Sequence, residues 1–221
     1  MSVFTFTVLG LKRSGKTHLV KNEILPAFLP YLYVIDPNAE YGPDLQGKGG
    51  FPRYVPSFAH DYERYKAEIA IIINNQVIPA CDKVEEQAKR GYPDKRRLRL
   101  LLVEEADLLL PSRMNMSPEL RYLLVNSGHF DLNLGFISRR PTDLSTYVMD
   151  NSDFIIVFKQ AGENALKRIK GMKEGADVAV SGLNFDKHEY LFFDRDRTYS
   201  TPDGQEIRDI FRRQVPDLKL R

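Results

Sequence analysis

The sequence predicts an α/β fold with a mostly parallel central sheet and an antiparallel hairpin near the C-terminus. Short apolar runs alternate with helical patterns along most of the chain, as parallel strands joined by crossover helices require. The first run, Phe4–Leu9, leads into Gly10-Leu11-Lys12-Arg13-Ser14-Gly15-Lys16-Thr17, the G-x-x-x-x-G-K-T pattern of a phosphate-binding P-loop. Glu189–Phe193 and Thr198–Ser200 lie close enough in sequence to pair as the hairpin.

Composition suits one domain. The chain has 221 residues, 43% hydrophobic and 28% charged, enough for a full core. A net charge of +2, from 32 basic and 30 acidic residues, means that any nucleic-acid contact must be local. No apolar run reaches the ~18 residues of a bilayer span, and the N-terminus enters a strand without a basic leader. An intracellular protein is expected. Cys81 cannot form an internal disulfide and reads as a small core residue on a helix; no His/Cys cluster has zinc spacing.

In the P-loop, Gly10 and Gly15 allow a tight turn whose N–H groups cradle an anion, and the helix starting near Lys16 adds its positive end. Gly10, Lys12, Arg13, Ser14, Gly15, Lys16, Thr17 and His18 are the candidate nucleotide contacts. Phosphates of ATP are the expected ligand. Lys16 reaches the β- and γ-phosphates, and the Thr17 hydroxyl takes one position in the shell of Mg²⁺.

Leu19, Val20, Ile24 and Leu25 continue the helix until Pro26 and Pro30 break it. Tyr31–Ile35 is a second buried strand, followed by Asp36-Pro37-Asn38-Ala39-Glu40-Tyr41-Gly42. These turn and acidic residues either line the ligand edge of the sheet or cap a turn. Gly42–Gly50, with Lys48, is a loop; Phe51–Pro56 contains a short strand bracketed by prolines. Asp61 opens a long helix running to about Arg90, which Pro79 should kink or end. The basic group Lys89, Arg90, Lys95, Arg96, Arg97 and Arg99 precedes the next strand, at the sheet edge away from the P-loop, and reads as a solvated loop.

Leu98–Val103 followed by Glu104-Glu105-Ala106-Asp107 has the form of a Walker B strand. Glu105 is the candidate that orients the attacking water, and Glu104 the candidate that holds the Mg²⁺ shell. Leu108–Met116 is a connection; Ser117-Pro118-Glu119 opens a helix as N-cap and first turn. Leu132–Ser138 is a strand ending in Arg139-Arg140-Pro141, arginines that either sense the γ-phosphate, face a neighbouring subunit, or form surface ion pairs. Phe154–Phe158 is a further strand, and Asn164–Met172 and Glu174–Ser181 are short helices. The Arg-Asp-Arg turn of the hairpin is expected to be polar and exposed. Residues 1–201 read as the ATPase domain and 202–221 as a tail whose Ile207, Ile210 and Phe211 have helical spacing.

Taken together, GLKRSGKT, VIDPNAEYG, LLLVEEAD and GHFDLNLGFISRRPTDLSTYVMDNSDFIIVF resemble the HerA/FtsK superfamily of P-loop ATPases, which includes viral genome-packaging ATPases. The resemblance runs from Val3 to Phe193. Its specific part is the block after Walker B: Gly128-His129, a strand, Arg140-Pro141, a short helix and Ser152-Asp153 before the Phe154–Phe158 strand. It implies a RecA-like αβα sandwich that uses ATP and Mg²⁺. It further implies a homo-oligomeric ring, a hexamer, that pumps double-stranded DNA, with Arg139 and Arg140 joining Lys16 and Glu105 in catalysis.

The chain departs from the family pattern where Glu104 replaces the usual Asp, Arg139 the usual Gln, and Gly128 the Arg before the His. The arginine acting in trans is thus open among Arg140, Arg139, Arg121 and Arg113. The length leaves no room for the extra domains of repair helicases or chromosome pumps. It favours a packaging ATPase in the host cytoplasm or on the virion, docking on a capsid or portal-vertex protein. A plasmid or conjugation pump and a nucleotide-switched morphogenesis or secretion protein are the alternatives.

Overall fold

The computed structural model describes residues 3–29, 31–41, 53–58, 60–81, 98–112 and 116–214. Within them the strands are β1 (Thr5–Leu9), β2 (Leu32–Ile35), β3 (Arg53–Tyr54), β4 (Leu100–Val103), β5 (Asn133–Ser138), β6 (Phe154–Phe158), β7 (Tyr190–Phe193) and β8 (Tyr199–Ser200). They form one sheet in the order β3-β2-β4-β5-β1-β6-β7-β8. All pairings from β3 to β6 are parallel, and β7 and β8 add antiparallel to β6. The mostly parallel sheet and the terminal hairpin are as the sequence predicts.

Side chains alternate between two cores, as the twofold period of a strand requires. Phe6, Val8, Leu32, Val34, Leu100, Leu102, Phe154 and Ile156 face one core; Leu9, Tyr33, Ile35, Leu101, Val103, Leu134, Phe136 and Val157 face the other. Helices cover both faces, giving an αβα sandwich. On the first face lie α1 (Lys16–Leu19) and its continuation to Ala27, together with the helix Gly204–Gln214. On the second lie α2 (Tyr62–Ile72), α3 (Ala106–Leu109), α4 (Pro118–Phe130), α5 (Thr146–Asp150), α6 (Glu163–Met172) and α7 (Ala176–Gly182). The helix Gly204–Gln214 is α8. Its Phe211 is fully buried with its ring 5.1 Å from Phe6 and 5.7 Å from Phe4, edge-on to both, a favoured aromatic geometry.

The first helical run ends around Pro26 as expected, while the second passes through Pro79. After α1 the backbone widens into a π turn over Val20–Ile24 before a 3₁₀ turn, Leu25–Ala27, that contains Pro26. After α2 a π turn over Ile73–Val77 precedes residues 78–81, which stay helical through Pro79. Pro crowds the carbonyl of the residue four positions earlier, Asn22 for Pro26 and Asn75 for Pro79, and both lie inside the π turns. Widening absorbs the clash, so Pro79 neither ends the helix nor stands at its end. Residues 82–90 of the expected long helix lie outside the described residues, as do Lys89, Arg90, Lys95, Arg96 and Arg97.

Ala106–Leu109 is a helical turn that takes in Leu108 and Leu109, the start of the expected connection, and Pro111 bridges to Leu144. Ser117 is the N-cap of α4, its Oγ accepting from the Leu120 N–H at 3.3 Å, with Pro118 in the first turn. The hairpin turn is less free than expected. Arg195 pairs with Asp153 at 3.2 Å and Arg197 donates to the Met149 carbonyl. Asp153 also accepts from the Thr5 N–H at 2.8 Å, so the Ser152-Asp153 pair ties β6 to the start of β1, at the opposite edge from the P-loop.

Candidate active site

The strand order determines what can meet. β5 lies between β1 and β4, so the P-loop, the Ser138-Arg139 strand end and Glu104-Glu105 emerge side by side at the carboxyl edge of the sheet. The loop is pinned there by a hydrogen bond from the Gly10 N–H to the Ser138 carbonyl, 3.2 Å. Arg13 and Gly15 both adopt positive φ, 65° and 102°, which turns the chain tightly into α1. A Cβ on Gly10 would lie 2.4 Å from Ser14 Oγ and 2.8 Å from Phe158 Cβ, so the loop closes only with glycine there.

Lys16 is held over the loop it belongs to. Its ammonium donates to the carbonyls of Gly10 at 2.5 Å and Leu11 at 3.2 Å. Burial lowers its pKa, while Glu104, Glu105, Glu40 and Asp107 pull it back up. Thr17 donates its hydroxyl proton to the Glu40 carboxylate at 2.8 Å. Lys12, Arg13 and His18 are exposed, and Ser14 is buried with its Oγ lacking a hydrogen-bond partner among the described residues.

The strand end after β2 divides its labour. Asp36 is fully buried and caps its own turn, accepting from the Glu40 and Tyr41 N–H groups at 2.9 and 2.8 Å. Capping by Asp36 points Glu40 and Asn38 at the site: Glu40 reaches Thr17, and Asn38 donates to Glu105 Oε1 at 3.3 Å. Tyr41, fully buried, donates its hydroxyl to Glu104 Oε2 at 3.2 Å.

Glu104 is 3% exposed, and burial followed by the nearby Glu40 pushes its pKa up to about 8, against the pull of Lys16. Glu105 stands in the left-handed region at φ 48°, an uncommon conformation for a non-glycine residue, as it passes from β4 into α3. Burial and Asp107 raise its pKa, with Arg139 and Lys16 acting the other way. Its Oε2 lies 3.2 Å from Arg139 Nε, yet the angle is too poor for a hydrogen bond and this oxygen is buried without one.

Of the readings open to Arg139, the structure shows the ion pair, and its partners are acids of this sheet edge. It pairs with Asp107 at 3.1 Å, and Asp107 also accepts from Ser138 Oγ at 2.9 Å. Gln160, almost fully buried, fixes the Arg139 backbone by donating to its carbonyl at 3.1 Å. Arg140 and Arg121 are exposed, and their side chains pair with no described residue; Arg113 and Lys48 lie outside the described residues.

His188 joins the site from the far end of the chain. Its Nδ1 lies 3.1 Å from the Ser14 carbonyl, which can only accept, so Nδ1 carries the proton. Its side chain packs where a Cβ on Gly15 would stand, 3.0 Å from the His188 Cβ. No sequence signal marks it, because contact with the P-loop spans 174 residues.

The donor set fits a hard divalent cation. Thr17 and Glu104 offer oxygen ligands beside the P-loop, and a buried carboxyl held above its ordinary pKa gains most from a neighbouring cation. Magnesium bound with nucleotide takes few protein ligands, the rest coming from phosphate and water. Among the described residues no cluster of three or more acidic, His or Cys side chains forms a separate metal site, and no helix is long and apolar enough to cross a membrane.

No protein-family model matches the sequence, and no curated protein matches it. Solved structures do. The DNA-packaging ATPase B204 from Sulfolobus turreted icosahedral virus superposes with a TM-score of 0.68 at 19% identity, over 92% of this chain and 98% of that one. The genome packaging NTPase B204 from Sulfolobus turreted icosahedral virus 2, in complex with AMPPCP, gives 0.65 at 18% identity, over 92% and 99%. The cytoplasmic domain of the Thermomonospora curvata type VII secretion ATPase EccC gives 0.63 at 12% identity, over 96% of this chain but 28% of that one. The likeness is one of fold, and it agrees with the resemblance read from the motifs: over nine-tenths of its length this chain has the α/β P-loop fold of the B204 packaging NTPases.

Proposed function

We propose that this chain is a Mg²⁺-dependent ATPase of the HerA/FtsK type, and that a homo-oligomeric ring of it, a hexamer, drives double-stranded DNA into a viral capsid. One observation carries the reading: Lys16, Glu104, Glu105 and Arg139 meet at one sheet edge although they come from three separate strand ends. The similarity in fold to two B204 packaging proteins supports the DNA-packaging part.

In this reading the N–H groups from Lys12 to His18 bind the phosphates, and Lys16 leaves the Gly10 and Leu11 carbonyls to neutralise the β- and γ-phosphates. Thr17 and Glu104 hold Mg²⁺, which supplies charge neutralisation at the transferring phosphoryl group. Thr17 exchanges its bond to Glu40 for this role. Glu105 orients and polarises the attacking water. Its buried Oε2 has an unused acceptor site, Asn38 steadies Oε1, and its raised pKa makes it a better base. Arg139 positions Glu105 through the ion pair with it and with Asp107. Arg140, exposed beside it, is the arginine offered to a neighbouring subunit's nucleotide, with Arg121 and Arg113 as the other candidates.

The test is ATP turnover with and without linear double-stranded DNA at low salt, alongside mass measurement of the assembly. Stimulation by DNA and a ring-sized mass are expected, with a capsid or portal protein as the further partner. A monomer under every condition, or turnover indifferent to DNA, contradicts the motor reading. The fold shared with a secretion ATPase makes a nucleotide-switched secretion or morphogenesis protein the second reading. One turnover per site, without multiple cycles, would favour it. A conjugation-type pump differs in its partner, a transfer protein in place of a capsid.

A further inference from the structure

We infer that His188 is a positioning residue for the P-loop: by holding the Ser14 carbonyl it fixes the peptide between Ser14 and Gly15 so that the Gly15 N–H faces the phosphates. The inference rests on the phosphate-binding role proposed for that loop. The His188 Nδ1 donates to the Ser14 carbonyl oxygen at 3.1 Å, across 174 residues of sequence.

A trans peptide is planar, and its C=O and N–H point in opposite directions. With the Ser14 carbonyl turned towards His188, the Gly15 N–H is turned away from it. It donates to no described residue, so this hydrogen is left for a ligand. Phosphate cradling by a P-loop uses backbone N–H groups of this kind. Rotation of the peptide plane by half a turn would present a carbonyl oxygen instead, and attraction would become repulsion. The chain alone resists that rotation weakly, because Gly15 stands at φ 102° and glycine populates positive and negative φ about equally. His188 resists it by its hydrogen bond and by its bulk. A Cβ on Gly15 would lie 3.0 Å from the His188 Cβ and 3.1 Å from its Cγ, so the imidazole packs directly on the glycine.

His188 is itself held in place. Its φ of 54° lies in the left-handed region, where His, Asn and Asp are enriched among non-glycine residues. Its own N–H donates to the Phe185 carbonyl at 3.1 Å. Asn184 closes the turn: its Oδ1 accepts from the Asp186 and Lys187 N–H groups at 3.0 and 3.2 Å, and its N–H donates to the Glu189 carboxylate at 2.8 Å. β7 then starts at Tyr190, which pairs with Phe158 at the end of β6, next to β1. The turn is thereby anchored to the same sheet edge as the P-loop.

Calorimetric titration with ATP and with inorganic tripolyphosphate, on the wild-type full chain, His188→Gly and His188→Asn, tests the role, with a thermal melt of each protein. His188 is exposed on its outer side, so neither change opens a core. Glycine removes the donor, asparagine keeps an N–H on the atom after Cγ where the imidazole has Nδ1, and both accept positive φ. His188→Gly is expected to bind both ligands about tenfold more weakly, the worth of a hydrogen bond to a charged group. His188→Asn should stay within about threefold of wild type, and all melting temperatures within about 2 °C. Unchanged affinity in His188→Gly, a loss confined to ATP, a loss that asparagine does not restore, or a loss that comes with a lowered melting temperature overturns the positioning role and leaves the P-loop reading intact. A wild-type protein that binds neither ligand removes both.

Discussion

Gly135→Ala probes the packing that holds β5 between β1 and β4, on which the meeting of the active-site residues depends. A Cβ at Gly135 would stand 2.4 Å from Phe6 Cζ, 2.8 Å from Phe6 Cε1 and 2.7 Å from Leu102 Cδ1, inside any tolerable contact. Phe6 is fully buried and wedged against Phe211, and Leu102 is fully buried in β4, so neither can step aside freely. Overpacking of this kind costs about 1–3 kcal/mol. For a chain of this length each kcal/mol lowers Tm by roughly 2–4 °C, so a fall of about 2–12 °C is expected. Phe6→Leu removes the ring atoms nearest the new methyl. The double variant should therefore lose less stability than the sum of the singles, by about 0.5 kcal/mol or more. Urea unfolding with a common m-value measures all three differences. Wild-type stability in Gly135→Ala, or strict additivity with Phe6→Leu, would refute the account of this contact.

The remaining predictions concern the site and its supports. Arg139→Ala removes the ion pairs to Glu105 and Asp107; the ATPase rate is expected to fall about 10²-fold, with stability changed by under about 1 kcal/mol because Arg139 is half exposed. Steady-state turnover and a thermal melt check both, and an unchanged rate contradicts the positioning role. Glu104 binds its proton more tightly folded than unfolded, so in EDTA it costs stability that grows as pH rises from the ordinary carboxylate range to about 8. Glu104→Gln should then be more stable than wild type, by a gain on the order of a few kcal/mol that increases over that window and levels off above it. A gain independent of pH would contradict the burial argument. Asp203→Ala breaks the capping box of α8 and should cost about 1 kcal/mol, or roughly 2–4 °C in Tm.

Much of this architecture was legible because its signals are local. Phe4–Leu9 with the P-loop, Leu98–Val103 with its acids, and Ser117-Pro118 each carry their information within fourteen residues or fewer. The αβα layering was implied by the family resemblance, and strands buried along their whole length, such as Leu100–Val103, agree with it. What stayed hidden depends on neighbours distant in sequence or on backbone accommodation. Pro79 reads as a kink or an end because single-residue rules omit the π turn that lets the helix pass it. Asp36 was undecided between ligand edge and cap, since only the folded turn shows its carboxylate taken by Glu40 and Tyr41. Glu40 and Asn38 reach the site as a consequence of that cap. Asp107 stood in the Walker B stretch, but its pairing with Arg139 needs β5 beside β4. His188 and Gln160 carry no local motif at all; each acts by a hydrogen bond to a backbone carbonyl of another loop.

The most direct test of the central claim is single-turnover ATP hydrolysis by Glu105→Gln, with ATP binding measured in parallel. The glutamine keeps the size of the side chain and the contact to Asn38 but cannot act as a base. Hydrolysis is expected to fall about 10²–10⁴-fold while ATP affinity stays at the wild-type value. Hydrolysis at the wild-type rate would contradict the assignment of Glu105, and with it the proposal that this sheet edge is an ATPase centre.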